Sequence, residues 1–169
     1  LKVETAWFAR PDGTSGAPGI HGTGHTRRVL THALEIAEVL NISDWEKDAV
    51  ELAACWHDIG RTHDGVDYYH GAKSAGKVVG LELHEGVDPI ILETALYAVT
   101  HHCGDEAHAE LGMSWTSDPE ATLRVFRILK DADALDRVRL GGLDTSFLRF
   151  SASHEYLQDA WELLEAIVE

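Results

Sequence analysis

The sequence predicts an all-α protein, a single globular helical bundle of about five to seven helices. Three observations carry that expectation. Apolar residues recur at three-and-four spacing through most of the chain. Three segments open with helix-start chemistry, a capping box and two Asp-Pro pairs. No segment sustains the apolar/polar alternation of a half-buried strand. At 169 residues, 44% of them hydrophobic, the chain is long enough for one substantial core. No internal repeat or composition break marks a second domain.

Residues 1–24 read as an irregular arm, because Pro11 to Gly24 is rich in Gly, Pro and Ser; residues 25–169 form the expected domain. Val29, Leu30, Ala33, Ile36, Ala37 and Leu40 make one face of a first helix from about His25 to Leu40. Ser43 followed by Glu46 is a capping box that opens a second, with Ala49, Val50, Leu52, Ala53 and Trp56 inward and Gly60 as a stop. Asp58 to Asp67 is polar and loop-like, and a third helix follows from about His70 to Leu83. Asp88-Pro89, a cap plus a first-turn proline, starts a fourth helix through Thr100. Asp118-Pro119 repeats the device for a fifth, which turns Leu123, Phe126 and Leu129 inward and ends near Leu135. A last helix covers about Ser153 to Val168. Trp7, Trp45, Trp56, Trp115 and Trp161 read mostly as core or helix-staple residues.

The balance of 29 Asp+Glu against 14 Lys+Arg gives a formal charge of −15. Such a field repels phosphate backbones and anionic lipid, so neither polymeric nucleic acid nor a membrane is an expected partner. Leu81 to Glu120 carries nine acidic residues and no Lys or Arg, the pattern of a solvated face. No apolar run approaches the ~20 residues of a membrane span. The first residues show no signal-peptide pattern, and the missing initiator Met points to a trimmed or incomplete start. Two cysteines exclude a disulfide scaffold and fit reduced thiols in a cytoplasmic protein. Cys55 reads as a small core residue; Cys103, directly after the His pair, reads as a bystander thiol, with soft ligation of a metal as the alternative. A homodimer is left open.

Eleven histidines do not fit a generic acidic domain. His57 and Asp58 are adjacent at the end of an apolar helix. Neighbouring helical residues point about 100° apart, so both address one ion only where the helix ends, and Gly60 supplies that ending. Imidazole with carboxylate suits Mn, Fe, Co, Ni or Zn.

His57-Asp58-Ile59-Gly60-Arg61 resembles the His-Asp-x-Gly-Lys/Arg signature of the HD-domain superfamily of metal-dependent phosphohydrolases. In that family a His on an early helix precedes the pair and an Asp on a later helix follows it. Here His25 stands 32 positions before His57, and Asp133 lies near the end of the fifth predicted helix. The resemblance covers about His25 to Leu135 and implies that His25, His57, Asp58 and Asp133 are the core metal ligands. His70 with Ser74-Ala75, and then His101-His102, are similar to the further elements of the dinuclear branches. In that arrangement Asp58 bridges two metals, and His70 with His101 or His102 holds the second. The implied cofactor is one or two divalent ions per chain, from among Mn, Fe, Ni, Co, Zn and Mg. Nothing like the Gly-Tyr-Pro element of the cyclic-di-nucleotide phosphodiesterases follows His102, and the basic surface of the CRISPR-linked HD nucleases is missing. Those two substrates are not implied.

The resemblance therefore implies hydrolysis of a small phosphate ester, a nucleotide or related metabolite, by a metal-activated hydroxide. Asp58 and Arg61 are the expected catalytic residues. Arg61 is the first choice to hold the phosphate, with Arg28 and Lys73 one turn past His25 and His70 as second choices. Lys130 is placed to support Asp133, and Arg137 to pair with it at i+4. Asp131 and Asp136 read as solvated or Arg-paired. His21, His32, His63, His84, His108 and His154 match no motif position and read as surface or packing residues. The alternatives on the same ligand set are an HD-fold di-iron oxygenase acting on a small metabolite and a non-catalytic metal-binding regulatory module.

Overall fold

Four helices surround the core: α1 (Thr23–Val39), α2 (Asp44–Trp56), α4 (Pro89–His101) and α6 (Pro119–Leu135). The computed structural model describes residues 3–9 and 19–167. Helix α3 (His70–Gly80) lies on α4, α5 (Glu106–Met113) on α6, and α7 (Leu157–Ala166) closes the bundle against α1 and the 3-10 turn Asp136–Leu140. The described residues contain no strand. None of their helices is long and apolar enough to cross a membrane.

Alanine sets how closely the helices approach. Ala33 and Ala37 on α1, Ala49 and Ala53 on α2, and Ala95 and Ala98 on α4 are all fully buried. Small side chains there let backbones come close, while Trp56, Phe126, Ile36 and Leu129 fill the space between. Val3 and Phe8, from the segment ahead of α1, also lie in this core. Residues 10–18 of the expected arm lie outside the described residues.

The caps form where the sequence places them. The Ser43 backbone N–H donates to the Glu46 carboxylate at 3.0 Å, Asp88 accepts from the Ile90 N–H, and Asp118 accepts from the Ala121 N–H. The fifth predicted helix is α6 and ends at Leu135. Other boundaries differ for local reasons. Helix α1 begins at Thr23 rather than His25, so His25 sits inside its first turn. The third helix stops at Gly80, and Glu82 just beyond takes a left-handed φ of 58°. The last predicted helix divides into a 3-10 turn, Ser151–Tyr156, and α7; Val168 lies outside the described residues. Helix α5 is not foreseen, because its eight residues bury only Ala109 and Met113, too few to show a period. Trp56 is core, but Trp115 and Trp161 are exposed.

Two glycines bring α3 into backbone contact with its neighbours. A Cβ at Gly71 would lie 2.5 Å from the Val99 carbonyl oxygen at the end of α4. One at Gly60 would collide with the backbone of Lys73 and Ser74, where the Gly60 N–H donates to the Ser74 hydroxyl at 2.9 Å. Gly71→Ala must therefore push α3 off α4. The expected cost is roughly 1–3 kcal/mol, read as a lowered urea midpoint.

His32, on α1, is fully buried, and neither ring nitrogen has a hydrogen-bond partner among the described residues. Burial, only partly offset by the charges of Asp136 and Asp159, lowers its pKa to about 4. The unfolded chain takes up this proton near pH 6.5, whereas the folded chain refuses it until about pH 4. Stability is thus whole above pH 6.5 and falls by roughly 3 kcal/mol as the pH drops through that window. His32→Leu should flatten the acid side of a Tm-against-pH curve between those values; an unchanged slope would refute the assignment.

Candidate metal centre

Two helix ends and two helix starts deliver imidazoles to one place. Helix α2 ends at Trp56, with His57 as its C-cap and Asp58 next; α4 ends at His101, with His102 as its C-cap. His70 is the first residue of α3, and His25 comes from the first turn of α1. Asp133 lies in the last turn of α6. His25, His57, Asp58, His70 and His102 are all buried.

Each of the four rings is oriented through Nδ1. His25 Nδ1 is 2.7 Å from Asp136 Oδ2, His57 Nδ1 2.8 Å from the Ala54 carbonyl, His70 Nδ1 2.5 Å from the Asp67 carbonyl, and His102 Nδ1 2.7 Å from the Val99 carbonyl. All four partners are acceptors, so each Nδ1 carries the hydrogen and each neutral ring keeps a bare lone pair on Nε2. Those Nε2 atoms face each other in pairs, His25 to His57 at 3.0 Å and His70 to His102 at 2.8 Å. Asp58 lies between the pairs. Its Oδ2 is 3.5 Å from His25 Nε2 and 3.8 Å from His57 Nε2; its Oδ1 is 3.2 Å from His70 Nε2 and 3.7 Å from His102 Nε2. Asp133 Oδ1 adds a second carboxylate to the first pair, 3.5 Å from His25 Nε2. Two bare nitrogens at these separations repel unless a positive charge sits between them. The donor set fits a divalent cation in each half, with neutral imidazole and ionised carboxylate as ligands.

The titration pattern sets a raised imidazole against a lowered carboxylate in each half. Burial pushes His57 down to about 3. Burial also opposes the charged form of His25 and His70, but the Asp136 and Asp58 carboxylates raise His25, and Asp58 with Cys103 carries His70 up to about 10. Burial works against Asp58 and Asp133 as well; the neighbouring imidazoles outweigh it, holding Asp58 well below its usual range and Asp133 at about 2. A cation entering either half displaces a proton, so affinity rises with pH.

The other expected site residues are spread more widely. His101 is half-buried and lies against the Tyr97 ring, centroids 4.4 Å apart, away from the cluster. Arg61 lines the cluster's cavity of about 210 Å³ and donates from Nε to Asp58 Oδ1 at 3.1 Å. Arg28 is not in that cavity: it is 2% exposed and locked to Asp136 at 2.6 Å and to the Ile167 carbonyl. Lys73 also lies elsewhere, its Nζ on Asp67 at 2.8 Å. Lys130 donates to the Gly104 carbonyl at 3.0 Å and lines an adjoining cavity of about 290 Å³ that shares His102, Asp133 and Arg137 with the first. The i+4 pair of Asp133 with Arg137 does not form; Arg137 is exposed on the wall of both cavities and has no carboxylate partner among the described residues.

Four further residues take places that the sequence reading did not assign. Asp136 is Arg-paired, with Arg28 and Arg139, as the second of its two expected readings has it, but it is also buried and bonded to His25, an orienting contact that was not expected. Its signal was present, since it follows Asp133 by three on a helical face. Asp131 is buried too, but it accepts from the Arg149 and Phe150 N–H groups and the Ser153 hydroxyl and braces the loop after α6. His21 is a wall of the cavity, 3.1 Å from Asp64. Cys103, half-buried, lines the same cavity beside His70 and His102.

The sequence model of the HD domain matches residues 22–138. The fold is similar to the crystal structure, at 1.45 Å resolution, of a predicted HD superfamily hydrolase from an uncultured Thermotogales bacterium. The two are 24% identical with a TM-score of 0.56, over 86% of this chain and 76% of that one. No curated relative matches the sequence.

If Asp136 orients His25, Asp136→Ala should weaken binding of the first ion by about 10- to 100-fold in competition with a chromophoric chelator. Asp136→Asn, which keeps an acceptor but loses the charge, should fall between the two.

Proposed function

The chain belongs to the HD domain family, and from that premise we propose that it is a dinuclear metal-dependent phosphohydrolase acting on small phosphate esters, nucleotides or related metabolites. The observation that carries this reading is Asp58, whose two oxygens face different histidine pairs. His25, His57 and Asp133 would hold one divalent ion and His70 with His102 a second, with Asp58 serving both. Ions bound there lower the pKa of water and neutralise charge on a phosphoryl group. The protein does the rest. Arg61 fixes Asp58 between the halves. Arg137, without a carboxylate of its own among the described residues, takes the phosphoryl oxygens as a charged donor. In the adjoining cavity Phe147 presents an exposed ring to a planar leaving group, with Lys130 and Arg149 beside it.

Charge distribution supports a small substrate. Five of the 14 Lys+Arg side chains, Arg61, Lys130, Arg137, Arg139 and Arg149, line these two cavities, although the chain as a whole carries −15. A compact cationic focus in an acidic shell admits a small anion and repels a long one. The cavity volumes fit the same size class.

Metal-loaded protein should release phosphate from at least one ester in a panel of nucleotides and sugar phosphates, and His57→Ala should abolish that release. Arg137→Ala, losing about 1.5–3 kcal/mol of charged hydrogen bonding, should lower kcat/KM by about 10- to 150-fold. His70→Ala should cut the bound metal from two ions per chain to one. Silence across the panel, with substrate-dependent oxygen uptake by the iron form, would overturn the hydrolase reading.

A further inference from the structure

The two halves of the centre are built by the same local device. His57 caps α2 and His102 caps α4, with near-equal backbone angles (φ −55°, ψ −36° and φ −57°, ψ −32°). Each backbone N–H bonds to the carbonyl four residues back, at 3.0 Å in both cases, and each Nδ1 bonds to the carbonyl three residues back. The residue after His57 is Asp58. The residue after His102 is Cys103.

The donor count is unequal without that thiol. The first half has two imidazoles and oxygens from two carboxylates, Asp58 and Asp133. With His101 turned onto Tyr97, the second half has His70, His102 and one oxygen of Asp58. Cys103 Sγ completes a group in which one donor atom from each of His70, His102 and Cys103 lies within 4.8 Å of the others. His70 and His102 are each 95% buried, and their Nε2 atoms face each other at 2.8 Å while both Nδ1 atoms are taken by main-chain carbonyls.

We infer that Cys103 is a ligand of the second ion, standing to His102 as Asp58 stands to His57. The inference rests on the dinuclear reading above. Ligation exchanges the S–H bond for a sulfur–metal bond and releases the proton to solvent. The centre then pairs a His2Asp2 half with a His2AspCys half, and the softer half selects zinc, cobalt or ferrous iron over magnesium and manganese.

Cobalt(II) tests this without reference to turnover. The wild-type protein, titrated with cobalt under argon, should develop a near-ultraviolet thiolate-to-cobalt charge-transfer band. Cys55→Ala should keep the band, because Cys55 is buried in the core. Cys103→Ser should lose it while retaining visible ligand-field bands. Cys103→Asp should bind two cobalt ions per chain with no such band. A wild-type protein that binds cobalt without the band overturns the inference, as does a band that survives in Cys103→Ser. Cobalt stoichiometry on the same samples separates the two readings: two ions without the band refute only the thiolate, whereas one ion with a Cys103-dependent band refutes only the second ion.

Discussion

Bare imidazole nitrogens cannot face one another in a dry interior without a positive charge between them. The chain creates that situation twice, on either side of one buried carboxylate, and most of what surrounds it serves to keep it so. Each Nδ1 is committed to an acceptor, so the rings cannot turn away or change tautomer without losing a buried hydrogen bond. Asp136 does more than the carbonyls. It is charged, it binds Arg28 and Arg139 as well as His25, and so it ties α1 to the end of α6 through His25 itself.

The bundle explains why these groups meet. A helix in mid-course shows successive side chains to different neighbours, but a helix that is ending can aim two consecutive residues at one point. The chain uses this at His57-Asp58 and again at His102-Cys103. Three of the elements involved, α1, α2 and α6, pack on one another directly, so their ends are fixed by the alanine-lined core. α3 brings His70 from the side, and its placement depends on contact with the ends of α2 and α4.

Much of this was legible in the sequence because it is local. Capping boxes, Asp-Pro starts and three-and-four spacing are short-range signals, and they located most of the helices. Ligand candidates in chain order were legible for the same reason. What the sequence withheld depends on rotation and on distant partners. His101 and His102 are adjacent on a helix end, and only packing decides that one meets Tyr97 and the other His70. Arg28 sits one turn from His25, a plausible place for a phosphate cation, yet the carboxylate that claims it is 108 positions away. Arg137 stands four residues after Asp133, but α6 ends at Leu135 between them, and Arg137 faces the cavities.

The glycines at 60 and 71 bear on how such a protein changes over time. Because α3 touches its neighbours through main chain, the distance between the two halves of the centre is a backbone dimension and not a sum of side-chain sizes. Core residues elsewhere can drift, exchange volume and shift helices by fractions of an ångström while that dimension holds. A change of volume in the core is thus insulated from the separation of the two histidine pairs, and a side chain at a helix end can be exchanged without rebuilding the bundle that carries it.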